Sequence, residues 1–198
     1  MLNVLISNNF IFIHVPRTAG TGIQYAITDV IKYPRRVHKG RDLIHPDHIT
    51  LTKLQNRNTF SFAFVRNPWD WARSMYHYTI KYGHNRQWKS EIQKYKNQGL
   101  NDWVCEDMIN WIKTFTRWHH NNTIHQQHTW TRGVSYIGRF ENLKEDFEHV
   151  CESLNIKPTL PHKMESTIGH YQDEYNDLGR KKIQNLFSQD IEQFKYTF

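Results

Sequence analysis

The stretch IFIHVPRTAGTG at residues 11–22 gathers residue types that bind anions. An apolar run that predicts a strand ends at Pro16, and Arg17, two threonines and two glycines follow. Glycine lets the backbone approach a phosphate or sulfate closely, threonine offers a hydroxyl donor, and arginine offers a planar fork of donors. We therefore predict an anion-binding loop, with a strand–helix turn that has Gly and Thr only for its geometry as the alternative. No lysine follows Gly22, so the stretch is not a Walker P-loop.

The stretch FAFVRNPWDWARSMYHY at residues 62–78 repeats this layout. A strand ends at Arg66, and a helix follows for which Asn67 is a suitable N-cap and Pro68 a suitable first residue. Ser74 lies about two turns into that helix, on the same side as Asn67. Arg66 and Ser74 could therefore hold one phosphate. The alternative places Arg66 in a structural ion pair and makes Ser74 an ordinary helix residue.

The elements that must position these stretches follow from hydrophobic periodicity and from turn residues. The sequence predicts strands over residues 2–6, 10–15, 59–65 and 134–138. It predicts helices over residues 21–31, 49–56, 68–81, 101–120, 143–154 and 173–189, with a loop over 34–48 and a polar excursion over 83–101. Alternating strands and helices predict an α/β fold with a central, mainly parallel sheet flanked by helices, in a single domain over residues 1–198.

Composition narrows the partners and the setting. The formal charge is +7 over 198 residues, which favours anionic partners. Cys105 and Cys151 form no CxxC pair, so we expect neither a disulfide framework nor a thiolate zinc site. The first residues lack the basic region of a signal peptide, and no segment is apolar enough to span a membrane. We expect a cytoplasmic protein; the oligomeric state is left open.

Together the two stretches resemble sulfotransferases that use PAPS (3′-phosphoadenosine 5′-phosphosulfate), most closely the branch that includes carbohydrate sulfotransferases. The signatures of that branch read roughly P-K-T-A-G-T-S and V-R-N-P-x-D-R-x-x-S-x-Y. The resemblance continues in VSYIGRFENLKEDFEHVCESLNI at 134–156 and in the tail at 160–198. It implies a P-loop-NTPase-like sulfotransferase architecture and transfer of a sulfuryl group from PAPS to a hydroxyl, which releases PAP (the 3′,5′-bisphosphate).

The resemblance also implies roles for individual residues. The first loop would cradle the 5′-phosphosulfate, mostly through backbone N–H groups, with Arg17, Thr18, Ala19, Gly20, Thr21 and Gly22. The second stretch would hold the 3′-phosphate with Arg66 and Ser74. Ser166 and Tyr171 in the tail would lie near the nucleotide. No metal is needed for this chemistry.

Three positions depart from the family pattern. Arg17 stands where the family usually has lysine, and arginine can stabilise charge but cannot donate a proton at useful pH. We therefore expect electrostatic stabilisation from Arg17, and not acid catalysis. Gly22 replaces a common serine and removes one hydroxyl donor. Glu165 stands where a basic residue is frequent, which argues against a nucleotide-binding role for it.

Transfer to a hydroxyl needs a general base, and the chain has 13 histidines. The stretch HPDHITLTKL at 45–54 resembles the family's His-containing stretch between the two phosphate motifs, and His48 matches it best. His45 is the alternative. His14, inside the first strand, is interpreted as a packed or hydrogen-bonded neighbour of the loop.

The acceptor is not fixed by the sequence. We expect a saccharide or a small alcohol in a bacterial or viral enzyme, with residues 79–130, which match the family least, shaping the acceptor side. The histidines at 119–128 do not have the spacing of a zinc site. The basic loop at 34–41 is either a solvated charge run or a guide for an anionic acceptor. A kinase-like phosphotransferase and a basic nucleic-acid-binding protein are the competing functions.

Overall fold

The computed structural model describes residues 3–7, 10–31, 35–37, 59–82, 89–115, 119–120, 123–124, 126–158, 160 and 169–198. By its internal packing the chain divides into two compact units. The first comprises Met1–Arg66 and His125–Met164, and the second comprises Asn67–Ile124 and Glu165–Phe198. The expected single domain over residues 1–198 stays a prediction.

Strands and helices alternate through the described residues. The strands are β1 (Asn3–Ile6), β2 (Phe10–His14), β3 (Arg35–Val37), β4 (Phe60–Val65), β5 (His119–His120), β6 (Thr123–Ile124) and β7 (Tyr136–Arg139). The helices are α1 (Gly20–Val30), α2 (Pro68–Tyr82), α3 (Lys89–Asp102), α4 (Met108–Phe115), α5 (Gln127–Trp130), α6 (Leu143–Leu154), α7 (Asp177–Leu186) and α8 (Ser188–Phe194). The predicted α/β class is confirmed.

The first unit is built on a five-stranded sheet in the order β3-β1-β2-β4-β7. Its strands β2, β4 and β7 are parallel, whereas β1 pairs antiparallel with β2 and with β3. β2 and β4 are apolar along almost their whole length because a parallel strand is covered on both faces. Residues 35–37, predicted as loop, form β3. A basic segment of three residues is too short for a strand to be predicted from its sequence.

Aromatic rings and two helices form the core of the first unit. The rings of Phe12 and Phe62 stack with centroids 4.9 Å apart. Ile23 and Ile27 of α1 and Phe147 of α6 are buried in the same cluster. Because β2, β4 and β7 are parallel, their carboxyl ends lie at one edge of the sheet, where ligands of open α/β sheets bind.

The described part of the second unit is mainly helical, with the short antiparallel pair β5–β6, and several predictions on it were wrong. Residues 89–101, expected as a polar excursion, form most of α3. Ile92 and Tyr95 are buried on one side of this polar helix, and Leu100 is buried just after a break in the helix at Gly99, where φ is 78°. The single helix expected over 101–120 contains a π-helical segment, Trp103–Asp107, and α4 ends at Phe115.

The tail of the chain is also more divided than predicted. In place of one helix over 173–189 there are a 3₁₀ turn, Tyr171–Glu174, and the helices α7 and α8. Asn176 caps α7, because its side chain accepts a hydrogen bond from the Gly179 N–H at 2.9 Å. None of the helices in the described ranges has the length and apolar composition needed to cross a membrane.

Candidate functional site

The loop between β2 and α1 has an alternating backbone. Pro16–Ala19 form a turn in which Arg17 and Ala19 both have φ of 64°, whereas Thr18 between them does not have a positive φ. Left-handed backbone costs a non-glycine residue about 1–2 kcal/mol, so two such residues in three positions mark a conformation that the surroundings impose. Turns that contain left-handed residues can direct successive N–H groups toward one concavity, an arrangement that binds anions in phosphate loops.

The start of α1 adds further N–H groups to this loop. The backbone hydrogen bonds of α1 begin with the Ile23 N–H, which donates to the Ala19 carbonyl at 3.1 Å. Gly20, Thr21 and Gly22 precede this first donor. Ala19 stands at the N-cap and makes no side-chain cap, and no acidic residue lies in the first turn. The positive end of this 11-residue helix is therefore not neutralised by its own side chains.

The Thr18 side chain makes a hydrogen bond within the loop. Its hydroxyl donates to the Val15 carbonyl at 2.8 Å, and the residue is 1% exposed. A hydroxyl has one proton, so in this arrangement Thr18 offers a ligand its backbone N–H and not the hydroxyl donor that the sequence indicated. Thr21, by contrast, is exposed at the surface of the first turn.

His14 is packed against the loop, in agreement with its interpretation from the sequence. A Cβ added to Gly20 would lie 2.0 Å from His14 Cδ2 and 2.3 Å from its Nε2, so only glycine fits beside the ring. Nδ1 is buried and has no hydrogen-bond partner within the described part of the chain. Burial, with the positive charge of Arg17 nearby, lowers the pKa of His14 to about 4. The imidazole is therefore neutral at pH 7.

Arg66 is brought to this loop. Its side chain is 2% exposed, and its Nη1 donates to the Arg17 carbonyl at 3.2 Å. The guanidinium carbon lies 3.9 Å from the centroid of the Phe140 ring, in cation–π geometry. The structure thus joins two predicted anion-binding residues, Arg17 and Arg66, by a hydrogen bond.

Gln127 is a residue of this site that the sequence did not single out. Its Oε1 accepts from the Arg66 N–H at 2.8 Å, and its Nε2 donates to the Arg66 carbonyl at 2.7 Å. Gln127 is 4% exposed and begins α5. No sequence signal separates it from its polar neighbours, because its partner is the backbone of a residue distant in the chain.

Two other predicted residues belong to the second unit. Ser74 lies on α2 and is 2% exposed. The Tyr171 hydroxyl accepts from Asn67 Nδ2 at 3.0 Å and donates to the Thr197 carbonyl at 3.4 Å. The predicted contacts of Ser74 and Tyr171 with a nucleotide stay predictions.

A charged network in the second unit was also missed by sequence reasoning. Arg73, which is 3% exposed, donates through Nε to Glu174 and through Nη1 to the Gly169 carbonyl. The other Glu174 oxygen lies 2.8 Å from His77 Nε2. These contacts fix the segment that begins at Gly169 onto α2 and complete the charge pairing of a buried arginine.

Three predicted site residues, His45, His48 and Ser166, lie outside the described residues, as does most of the basic loop at 34–41. Within the described ranges, no group of three or more His, Cys, Asp or Glu side chains could hold a metal ion.

Comparison with known proteins identifies a relationship. The model of the sulfotransferase family matches residues 2–197, which is nearly the whole chain. Neither the search of curated proteins nor the search of solved structures gave a match.

Proposed function

The chain belongs to the sulfotransferase family, whose enzymes use PAPS, and we propose that it transfers the sulfuryl group of PAPS to a hydroxyl of a saccharide or small alcohol. The observation that supports this most directly is the β2–α1 loop. Its two left-handed residues and the uncapped start of α1 would suit an anion at the carboxyl edge of the sheet.

The 5′-phosphosulfate is the group that this loop would bind. Gly20 and Gly22 have no side chain that would keep an anion away from the backbone N–H groups of this loop, and Gly20 lies close to the His14 ring. Arg17 supplies a side-chain charge from the same loop. Because arginine stays protonated, it would stabilise charge on the sulfuryl oxygens and on the leaving phosphate without giving up a proton.

The 3′-phosphate is the proposed partner of Arg66. The Arg66 guanidinium donates to the Arg17 carbonyl at 3.2 Å, and its planar fork of donors matches the geometry of a phosphate. The same residue would therefore bind the phosphate that distinguishes PAPS from ATP and hold the loop that binds the sulfate. That double role explains why a long cationic side chain is buried at this point.

The reaction is an in-line displacement at sulfur. The bond from sulfur to the phosphate oxygen of PAPS breaks as the acceptor oxygen bonds to sulfur, and the acceptor proton passes to a general base. The products are PAP and the sulfate ester. His48 stays the predicted base, with His45 as the alternative, and the carbohydrate nature of the acceptor rests on the resemblance stated above.

The two competing functions have less support. A P-loop kinase needs a Walker lysine, and Ile23 follows Gly22 in this chain. A nucleic-acid binder accounts for the charge of +7 but not for the paired loops or for the family match.

Calorimetric titration with PAP, with ATP as the comparison ligand, tests the proposal. PAP should bind more tightly than ATP without added metal. Arg66→Ala should weaken PAP binding about 100-fold, because charge-assisted hydrogen bonds contribute about 1.5–3 kcal/mol each. Arg132→Ala is the matched control, since Arg132 is an exposed arginine of the same unit, and it should bind PAP like the unmodified chain. Equal affinity for PAP and ATP would contradict the proposal.

A further inference from the structure

We propose that Gln127 positions Arg66 for the nucleotide by acting as an extra rung of the sheet at the end of β4. The inference rests on the proposed function, because it takes Arg66 as the residue that meets the 3′-phosphate. Gln127 would touch neither PAPS nor the acceptor. It would act through the backbone of Arg66, in the part of the chain that resembles the family least.

The paired part of β4 ends just before Arg66. The register of β2 with β4 ends at the pair Ile13–Ala63, and the register of β7 with β4 ends at the pair Arg139–Val65. Arg66 is the next residue along the chain and lies just beyond both registers. A backbone N–H and carbonyl buried at that point need other partners.

The carboxamide of Gln127 supplies both partners. It accepts from the Arg66 N–H at 2.8 Å and donates to the Arg66 carbonyl at 2.7 Å. Two bonds to the N–H and C=O of one residue reproduce the hydrogen-bonded pair of an antiparallel ladder. The two contacts also fix the orientation of the amide, because only Oε1 can accept from an N–H and only Nε2 can donate to a carbonyl.

Gln127 is itself held in place. The Thr131 hydroxyl donates to the Gln127 carbonyl at 3.1 Å, and Thr131 is 2% exposed. This bond stabilises the turn of α5 from which the almost fully buried Gln127 side chain projects. A buried amide with both polar atoms bonded has little freedom to follow a shift of Arg66, so it constrains that backbone.

Fixing the backbone of Arg66 also limits where its guanidinium can lie. With its peptide fixed by Gln127, Arg66 lays its guanidinium on Phe140 and bonds to the Arg17 carbonyl. An arginine side chain loses rotamer entropy when it is ordered. If the side chain is already ordered in the folded chain, that loss does not accompany nucleotide binding, and the affinity for the 3′-phosphate is higher.

The test compares PAP with AMP, which lacks the 3′-phosphate, on three forms of the whole chain. Gln127→Met keeps the length of the side chain and removes both hydrogen bonds, and Gln127→Glu keeps only the acceptor. We expect Gln127→Met to weaken PAP binding about tenfold and AMP binding less than about twofold, with Gln127→Glu between Gln127→Met and the unmodified chain for PAP. A loss confined to the ligand with a 3′-phosphate is not what general loosening of the fold produces.

Gln24→Met is the matched control, because Gln24 is a glutamine of the same unit at 6% exposure. It should leave the ratio of PAP to AMP affinity unchanged. If Gln127→Met does not fold, the same ratio measured on Gln127→Glu decides the question.

The outcomes separate this inference from the proposed function. If the unmodified chain does not bind PAP, the proposed function fails and this inference fails with it. If the unmodified chain binds PAP but the Gln127 variants keep its ratio of PAP to AMP affinity, only the positioning role is overturned. Equal weakening of both ligands would also overturn it, since Gln127 would then support the fold and not Arg66.

Discussion

Two strand–helix junctions of the molecule have the same layout in sequence and opposite use of their backbone. At the β2–α1 junction, Ala19 occupies the N-cap without a side-chain cap, and two residues adopt left-handed backbone. At the β4–α2 junction, Asn67 Oδ1 accepts from the Trp69 N–H at 3.1 Å, so the N-cap side chain takes up a donor of the first turn. One helix start keeps its donors available, and the other satisfies its own.

The difference shows where each junction can carry its chemistry. The first junction presents peptide N–H groups, which need close approach and small residues such as Gly20. At the second, a capped helix start and Pro68, which has no N–H, leave few backbone donors, so the proposed phosphate binding depends on the side chain of Arg66. A repeated sequence layout therefore does not imply a repeated binding mode.

The largest effect should come from filling the close contact of the first junction. Gly20→Ala places a Cβ 2.0 Å from the His14 ring, so the ring or the loop must move. We expect a loss of about 2–3 kcal/mol in the free energy of unfolding, because forced overpacking exceeds the roughly 1 kcal/mol that alanine gains in helix propensity. PAP affinity should fall at least about tenfold. Urea denaturation measures the loss of stability, and calorimetry measures the loss of affinity.

Gly138→Ala is the control that separates the loss of stability from the loss of PAP affinity. The new Cβ would lie 2.5 Å from Phe64 Cε1, so the clash is again with an aromatic ring of the first unit, but in β7 and not in the loop. A similar loss of stability with PAP affinity kept is expected. If Gly20→Ala binds PAP as tightly as Gly138→Ala does, the close approach at the first junction is not needed for binding.

The next effect is a pH dependence that only the first junction should show. The pKa of His14 lies at about 4 in the folded chain and near 6.5 when unfolded, so the unfolded chain binds more protons between these values. The contribution of neutral His14 to stability is complete above the unfolded pKa and is lost as pH falls toward the folded pKa. Between pH 7 and pH 5 the loss should be about 2 kcal/mol.

His14→Phe supplies the control for this pH dependence. Phenylalanine keeps a ring beside Gly20 and cannot take a proton, so unfolding in urea at pH 7 and pH 5 should differ less in the variant than in the unmodified chain. The comparison is a difference of differences, so it does not depend on the absolute stability of the variant. Equal pH dependence in the two chains would show that His14 is not held neutral by the fold.

Residues with local signals were predictable, and residues with distant partners were not. Periodicity located α1, α2 and α6 closely, because each buries one regular apolar face. It missed α3, where only Ile92, Tyr95 and Leu100 face the core and the remaining residues are polar. The left-handed Arg17 and the brace by Gln127 depend on groups that meet only after folding, so no pattern in the sequence announces them.

The smallest effect tests whether the second junction really satisfies itself. Asn67 Nδ2 also donates to the Thr197 carbonyl at 2.8 Å and to the Tyr171 hydroxyl at 3.0 Å, so Asn67→Ala removes the cap and two tail contacts together. We expect a loss of about 1–2 kcal/mol in the free energy of unfolding. Asn67→Asp can still accept from the Trp69 N–H at a helix start that favours a negative charge, but it cannot donate to Thr197. It should therefore recover about half of the loss, as measured by urea denaturation. If Ala and Asp destabilise equally, the cap contributes nothing, and the contrast between the two junctions rests on the left-handed residues of the first alone.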